Sequence, residues 1–134
     1  MNLLAIETST ELCSAALLRG DELFVEEAHA PNQHAEHLAP MVRRLLARAG
    51  LAPAGMDAFA FGQGPGSFTG LRIACGLAQG LAFGTGRPVV PVLLPEVSVH
   101  LACGRPGVRA VESVRWLTPL FATGPTLERG QIVP

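Results

Sequence analysis

Lysine is missing from this chain altogether, and so is tyrosine; all ten of its basic side chains are arginine. The absence of lysine excludes a P-loop lysine and a Schiff-base amine, and with them two large groups of phosphate and carbonyl chemistry. Net charge is close to nil, at −1 over 134 residues, so the totals predict no autonomous binding to nucleic acid or to a charged membrane surface. Cysteine is sparse and scattered. Cys13, Cys75 and Cys103 lack metal-ligand spacing, and an odd set of this kind reads as buried thiols in a reducing compartment. There is no basic stretch before the short apolar run Leu3–Ile6, which stops at Glu7, and this argues against a secretory signal peptide. The apolar stretch from Ser67 to Gly84 has about the length of a membrane span, but it carries Arg72, Gln79 and several glycines. A buried helix of a soluble, cytoplasmic protein is the expectation.

What is present is enough apolar sequence for one small domain: 49% of the residues are hydrophobic, which disfavours disorder and allows a core. The wealth of Ala, Gly, Pro and Arg fits a GC-rich coding bias and carries no functional message.

Periodicity orders the first two thirds of the chain. Leu3–Ile6 predicts a buried strand, Cys13–Leu18 a second, and Arg19-Gly20-Asp21 a hairpin turn into a third from Glu22 to Ala30. From Asn32 to Ala49, Leu38, Met41, Val42, Leu45 and Leu46 recur at helical spacing, and Gly50 closes that helix. Met56–Phe61 predicts a strand, Ser67–Phe83 a second helix and Val89–Val92 a last strand. The resulting β-β-β-α-β-α-β order is α/β, with the hairpins forming the antiparallel part of a mixed sheet. Beyond Val92 the period is lost, and Pro95, Pro106, Pro119, Pro125 and Pro134 punctuate the remainder. The domain division expected is therefore an ordered lobe, 1–92, and an atypical Pro- and Arg-containing tail, 93–134, disordered or frameshifted.

The run from Gly62 to Gly70, containing Gly64, Pro65, Gly66, Ser67 and Gly70, stands at a strand-to-helix junction. Ser67 is placed to cap the following helix, and the glycines permit conformations that other residues resist. Such a turn either cradles an anion on its N–H groups or lets another segment pack close. Further on, Gly76, Gly80 and Gly84 recur every four residues beside a second small ridge, Gly70, Ala74, Ala78 and Ala82. A mid-helix glycine costs about 0.8–1 kcal/mol relative to alanine, so close helix–helix approach is the natural compensation. Phe68, Leu71, Cys75 and Leu81 would then face the sheet.

Leu4-Ala5-Ile6-Glu7-Thr8-Ser9, Gly64-Pro65-Gly66-Ser67-Phe68-Thr69-Gly70-Leu71-Arg72-Ile73, the intervening Asn32-Gln33-His34 and the Gly76–Gly80 continuation together resemble the TsaB family. That family belongs to the glycoprotease-like branch of the actin/Hsp70/sugar-kinase superfamily, and the resemblance spans residues 1–92. It implies the first lobe of an actin-like, ribonuclease H-like fold, with the second lobe missing or incomplete. It also implies a non-catalytic dimerization subunit of the machinery that makes threonylcarbamoyladenosine in tRNA. Such a subunit pairs with a TsaD-type catalytic subunit, or with itself, alongside a TsaE-type ATPase; it meets tRNA only indirectly and no membrane. By this resemblance the pairing surface is the helices of the lobe, here Leu38, Met41, Leu45, Gly76, Gly80 and Gly84. The abrupt change near Val92 suggests a frameshift or gene-model break.

Superfamily enzymes hold nucleotide phosphates on the turn after the first strand, which makes Glu7, Thr8 and Ser9 candidate ATP contacts. The simpler reading is a polar turn satisfying its own backbone, and no cofactor is expected. His34 and His37 could share a metal, but no third ligand is evident and His-Glu-x-x-His is absent, so two surface histidines are expected. The surroundings of Ser67 are not Gly-x-Ser-x-Gly, so it is a cap rather than a nucleophile. Two readings compete with the scaffold: a nucleotide-binding hydrolase built on Glu7, Thr8, Ser9 and the Gly64–Gly70 loop, and a nonfunctional fragment.

Overall fold

A computed structural model describes residues 1–64 and 66–93. Its elements follow the expected order: β1 (Asn2–Glu7), β2 (Leu12–Arg19), β3 (Glu22–His29), α1 (His34–Ala49), β4 (Ala58–Gly64), α2 (Phe68–Thr85) and β5 (Val89–Leu93), with a 3-10 turn at Pro53–Gly55. The five strands form one mixed sheet in the order β3-β2-β1-β4-β5. β1 and β2 pair antiparallel, as do β2 and β3, whereas β1–β4 and β4–β5 are parallel. Each parallel step needs a crossover, and the two helices supply them.

Strand alternation divides the apolar residues between two faces. On one face Leu4, Ile6, Cys13, Ala15, Leu17, Phe59 and Phe61 meet both helices. On the other lie Leu3, Ala5, Ala16, Leu18, Ala58, Ala60, Val90 and Val92. α1 turns Leu38, Met41, Val42, Leu45 and Leu46 onto the sheet and ends at Gly50, whose φ of 67° is the left-handed closure that glycine adopts without strain.

Two corrections follow. Leu38, Met41 and Leu45, expected at a pairing surface, are core residues at 1%, 1% and 0% exposure, because the apolar stripe of a lone amphipathic helix is used by its own sheet. The second concerns α2. Its sheet face is the small ridge Gly70, Ala74, Ala78 and Ala82, not the bulky set; Phe68 is 73% exposed, and Leu71, Cys75 and Leu81 are only half-buried. Small side chains bring α2 close to β4, where Phe59 and Phe61 already fill the space between. The tail from residue 94, with Cys103, and Pro65 of the glycine-rich run lie outside the described residues.

Candidate functional site

The two sequence motifs meet. β1 ends in Glu7-Thr8-Ser9, and the glycine-rich turn between β4 and α2 lies directly on it. Ser67 N–H donates to the Ser9 carbonyl at 2.7 Å, and the Thr8 hydroxyl donates to the Gly70 carbonyl at 2.5 Å. A Cβ on Gly62 would overlap the Glu7 carboxylate; on Gly66 it would strike Ser9, and on Gly70 the Thr8 carbonyl. The glycines therefore serve close approach within the chain. Ser67 caps α2 as expected, its hydroxyl accepting from Gly70 N–H at 3.3 Å.

Glu7, Thr8 and Ser9 are all buried. Glu7 Oε1 accepts from Ser9 N–H at 2.9 Å, and burial pushes the carboxyl above its ordinary value despite the opposing hydrogen bonds from Ser9 and Thr8. A carboxylate enclosed in this way is committed to the turn. Among the described residues, no group of three His, Cys, Asp or Glu side chains is placed to hold a metal.

A cleft of about 470 Å³ opens beside this turn, between the N-terminal ends of α1 and α2, lined by Thr10, His34, Ser67, Thr69 and Gly70 among others. Its lining includes Thr10, one residue past the proposed nucleotide contacts, but not Glu7, Thr8 or Ser9. His34 is a further correction: only 7% exposed, it donates through Nε2 to the Thr10 carbonyl at 2.7 Å. α1 has no side-chain cap at Gln33, and the imidazole instead ties the helix start to the β1–β2 turn. His37 is exposed and does not join it.

The outer face of α2 is the other feature. Phe68, Arg72, Gly76, Gln79, Gly80, Phe83 and Gly84 are all exposed, at three- and four-residue spacing along one side of the helix. Among the described residues, no atom beyond the adjacent residues and the helix's own backbone lies within 4 Å of a Cβ built on Gly76, Gly80 or Gly84. The surface is a shallow saddle: bare backbone in the middle, Phe68 with Arg72 stacked on its ring at one end, and Phe83, 86% exposed, at the other. The expectation that this helix is buried on two sides does not hold among the described residues; its glycine side is open. Phe83 escaped the sequence reading, although it follows Gly76 and Gly80 at i+7 and i+3, the spacing that marks a shared face.

The sheet order and the placement of both helices on one face define an α/β lobe of the actin-like, ribonuclease H-like class. The family described as TsaD, tRNA N6-adenosine threonylcarbamoyltransferase, matches residues 26–105, and the chain belongs to that family. Within it the chain is similar to proteins named tRNA threonylcarbamoyladenosine biosynthesis protein TsaB. The Haemophilus influenzae protein is 50% identical over 93 residues, 69% of this chain and 39% of the relative. The Escherichia coli protein is 42% identical over 92 residues, 69% and 40% of the two chains. Among solved structures, YeaZ from Pseudomonas aeruginosa superposes with a TM-score of 0.67 at 53% identity, over 69% of this chain and 43% of that one. A second structure, described as similar to peptidase YEAZ from the same organism, gives 0.71 at 48% identity over 78% and 49%. The chain thus spans about 40% of the length of the curated relatives it matches. No helix among the described residues is long and apolar enough to cross a membrane.

Proposed function

We propose that this chain acts as a TsaB-type scaffold in the formation of threonylcarbamoyladenosine in tRNA, pairing through the outer face of α2 with a TsaD-type subunit. That subunit, not this one, carries the transfer of threonylcarbamoyl to the adenosine beside the anticodon. The observation that carries the reading is the open glycine saddle of Gly76, Gly80 and Gly84 flanked by Phe68 and Phe83. A helix that gives up about 2.5–3 kcal/mol of propensity at three exposed positions, with nothing among the described residues packed there, is shaped for close approach by another helix. A TsaE-type ATPase completes the assembly in this reading, a homodimer is the competing use of the same face, tRNA is met only indirectly, and the setting is cytoplasmic.

The same geometry weighs against the hydrolase. Glu7 accepts from Ser9 N–H within its own turn, Thr8 and Ser9 bond to the glycine-rich turn, and no ATP requirement is expected. Mass-resolved size exclusion of the chain, alone and mixed with the TsaD protein of the same source, tests the proposal. A mixed complex lost on Gly80→Leu supports it. Association unchanged by Gly80→Leu overturns the assigned face, and ATP binding abolished by Glu7→Ala overturns the scaffold reading.

A further inference from the structure

The scaffold reading leaves the buried Glu7-Thr8-Ser9 turn without a task. α2 meets the sheet through Gly70, Ala74, Ala78 and Ala82, a ridge with no side chain larger than a methyl group. Such a ridge brings the helix close but offers little to interlock, so its position along and about its own axis is left to other contacts. Half-buried Ile73, Leu77 and Leu81 flank it along its length. At its start the contacts are polar: Ser67 N–H donates to the Ser9 carbonyl, and the Thr8 hydroxyl donates to the Gly70 carbonyl. Thr8 is fully buried, and its carbonyl is what a Cβ on Gly70 would strike. Two residues to either side of Gly70, and so on the opposite side of the helix, stand the exposed Phe68 and Arg72. They form one end of the glycine saddle, with the guanidinium 5.3 Å from the ring centroid.

We propose that Thr8 is a positioning residue for pairing: by donating to the Gly70 carbonyl it holds the first turns of α2 so that Phe68 and Arg72 stand in line with Gly76, Gly80 and Phe83. The inference rests on the reading of the outer α2 face as the pairing surface, and it names a determinant of that surface buried out of a partner's reach. Over a few turns a helix moves as one body, so a rotation at Gly70 on the inner side displaces Phe68 and Arg72 on the outer side with it. Valine in place of Thr8 keeps the branched shape and removes the donor. The helix start then lies against the turn without that bond, and a partner must select the aligned placement from among others, which lowers the apparent affinity by the fraction aligned. Thr8 thus serves the scaffold as a helix anchor, where the hydrolase reading would make it a phosphate contact.

Titration calorimetry of the full chain with the TsaD protein of the same source provides the test, with the urea midpoint of each variant measured alongside. Thr8→Val is expected to raise Kd about tenfold, the scale of one buried hydrogen bond, and Thr8→Ser, which keeps the donor, to hold the parental Kd. Leu45→Val, a core change in α1, is expected to lower the urea midpoint and leave Kd unchanged. Equal rises in Kd for Leu45→Val and Thr8→Val would mean that pairing follows stability alone, and would overturn the role of Thr8. An unchanged Kd for Thr8→Val while Gly80→Leu abolishes pairing overturns that role too, but leaves the α2 face standing. If neither Thr8→Val nor Gly80→Leu alters Kd, the assigned face falls and this inference with it. The unsubstituted chain gives a second measurement that no folding defect can obscure. Amide exchange of Ser67, whose N–H donates to the Ser9 carbonyl, is expected to slow about tenfold in the complex, because a partner that selects the anchored helix start closes it. Unchanged exchange there also overturns the proposal.

Discussion

Glu7 is the one fully buried carboxylate among the described residues, and its surroundings fix how it responds to pH. Burial raises its pKa above the ordinary 4.5, so the folded chain holds this proton more tightly than the unfolded one. Between 4.5 and the raised value the folded state binds more protons, and stability falls as pH rises through that window. Glu7→Gln keeps an oxygen for Ser9 N–H and removes the charge. We expect it to be more stable than the parent at pH 7, with the difference vanishing below about pH 4.5 in urea titrations at the two pH values. Gly70 makes the complementary point, because a methyl group there meets backbone that cannot step aside, the Thr8 carbonyl. Gly70→Ala is expected to cost about 2–3 kcal/mol, read as a fall in the urea midpoint. Both residues show a turn whose groups are spent on one another.

At the scale of the element, α2 separates two kinds of glycine. Gly70 faces the sheet and has no room, whereas Gly76 and Gly80 face outward with open space around them. Gly76→Ala is therefore expected to stabilise the isolated chain by about 0.8–1 kcal/mol, a gain visible in denaturant unfolding. The sequence made the helix itself legible, since Ser67, the apolar run and Gly86 mark its start, body and end. Every strand and both helices were legible for similar reasons: hairpin glycine at Gly20, alternation in β1 and β2, and the heptad-like set in α1. Which side of each helix meets the sheet was not. Periodicity gives the width of an apolar stripe but not its partner, so Leu38, Met41 and Leu45 read equally as core and as interface. In α2 the rule that bulk faces inward failed because Phe59 and Phe61 supply the bulk from the strand side. His34 was illegible for another reason: its partner is a backbone carbonyl, Thr10, which no side-chain pattern announces.

For the whole molecule, stability and association pull on the same residues in opposite directions. A helix optimised for the lone chain would replace Gly80; a helix optimised for pairing keeps it. This opposition distinguishes a pairing surface from a merely tolerated one. In the free chain Gly80→Leu extends into open space and gains helix propensity, so its unfolding free energy is expected to rise by about 0.7 kcal/mol. A bound partner adds stability by mass action, about 2.7 kcal/mol at a hundredfold excess over Kd, and this increment requires the saddle to be open. Adding the TsaD-type subunit should therefore raise the thermal midpoint of the parent chain and leave that of Gly80→Leu unmoved. The variant would be the more stable protein alone and the less stable one in the mixture. Differential scanning with and without the partner reads both signs in one experiment. If the partner shifts both proteins equally, the glycine face of α2 is a bystander and the pairing surface lies elsewhere on the lobe.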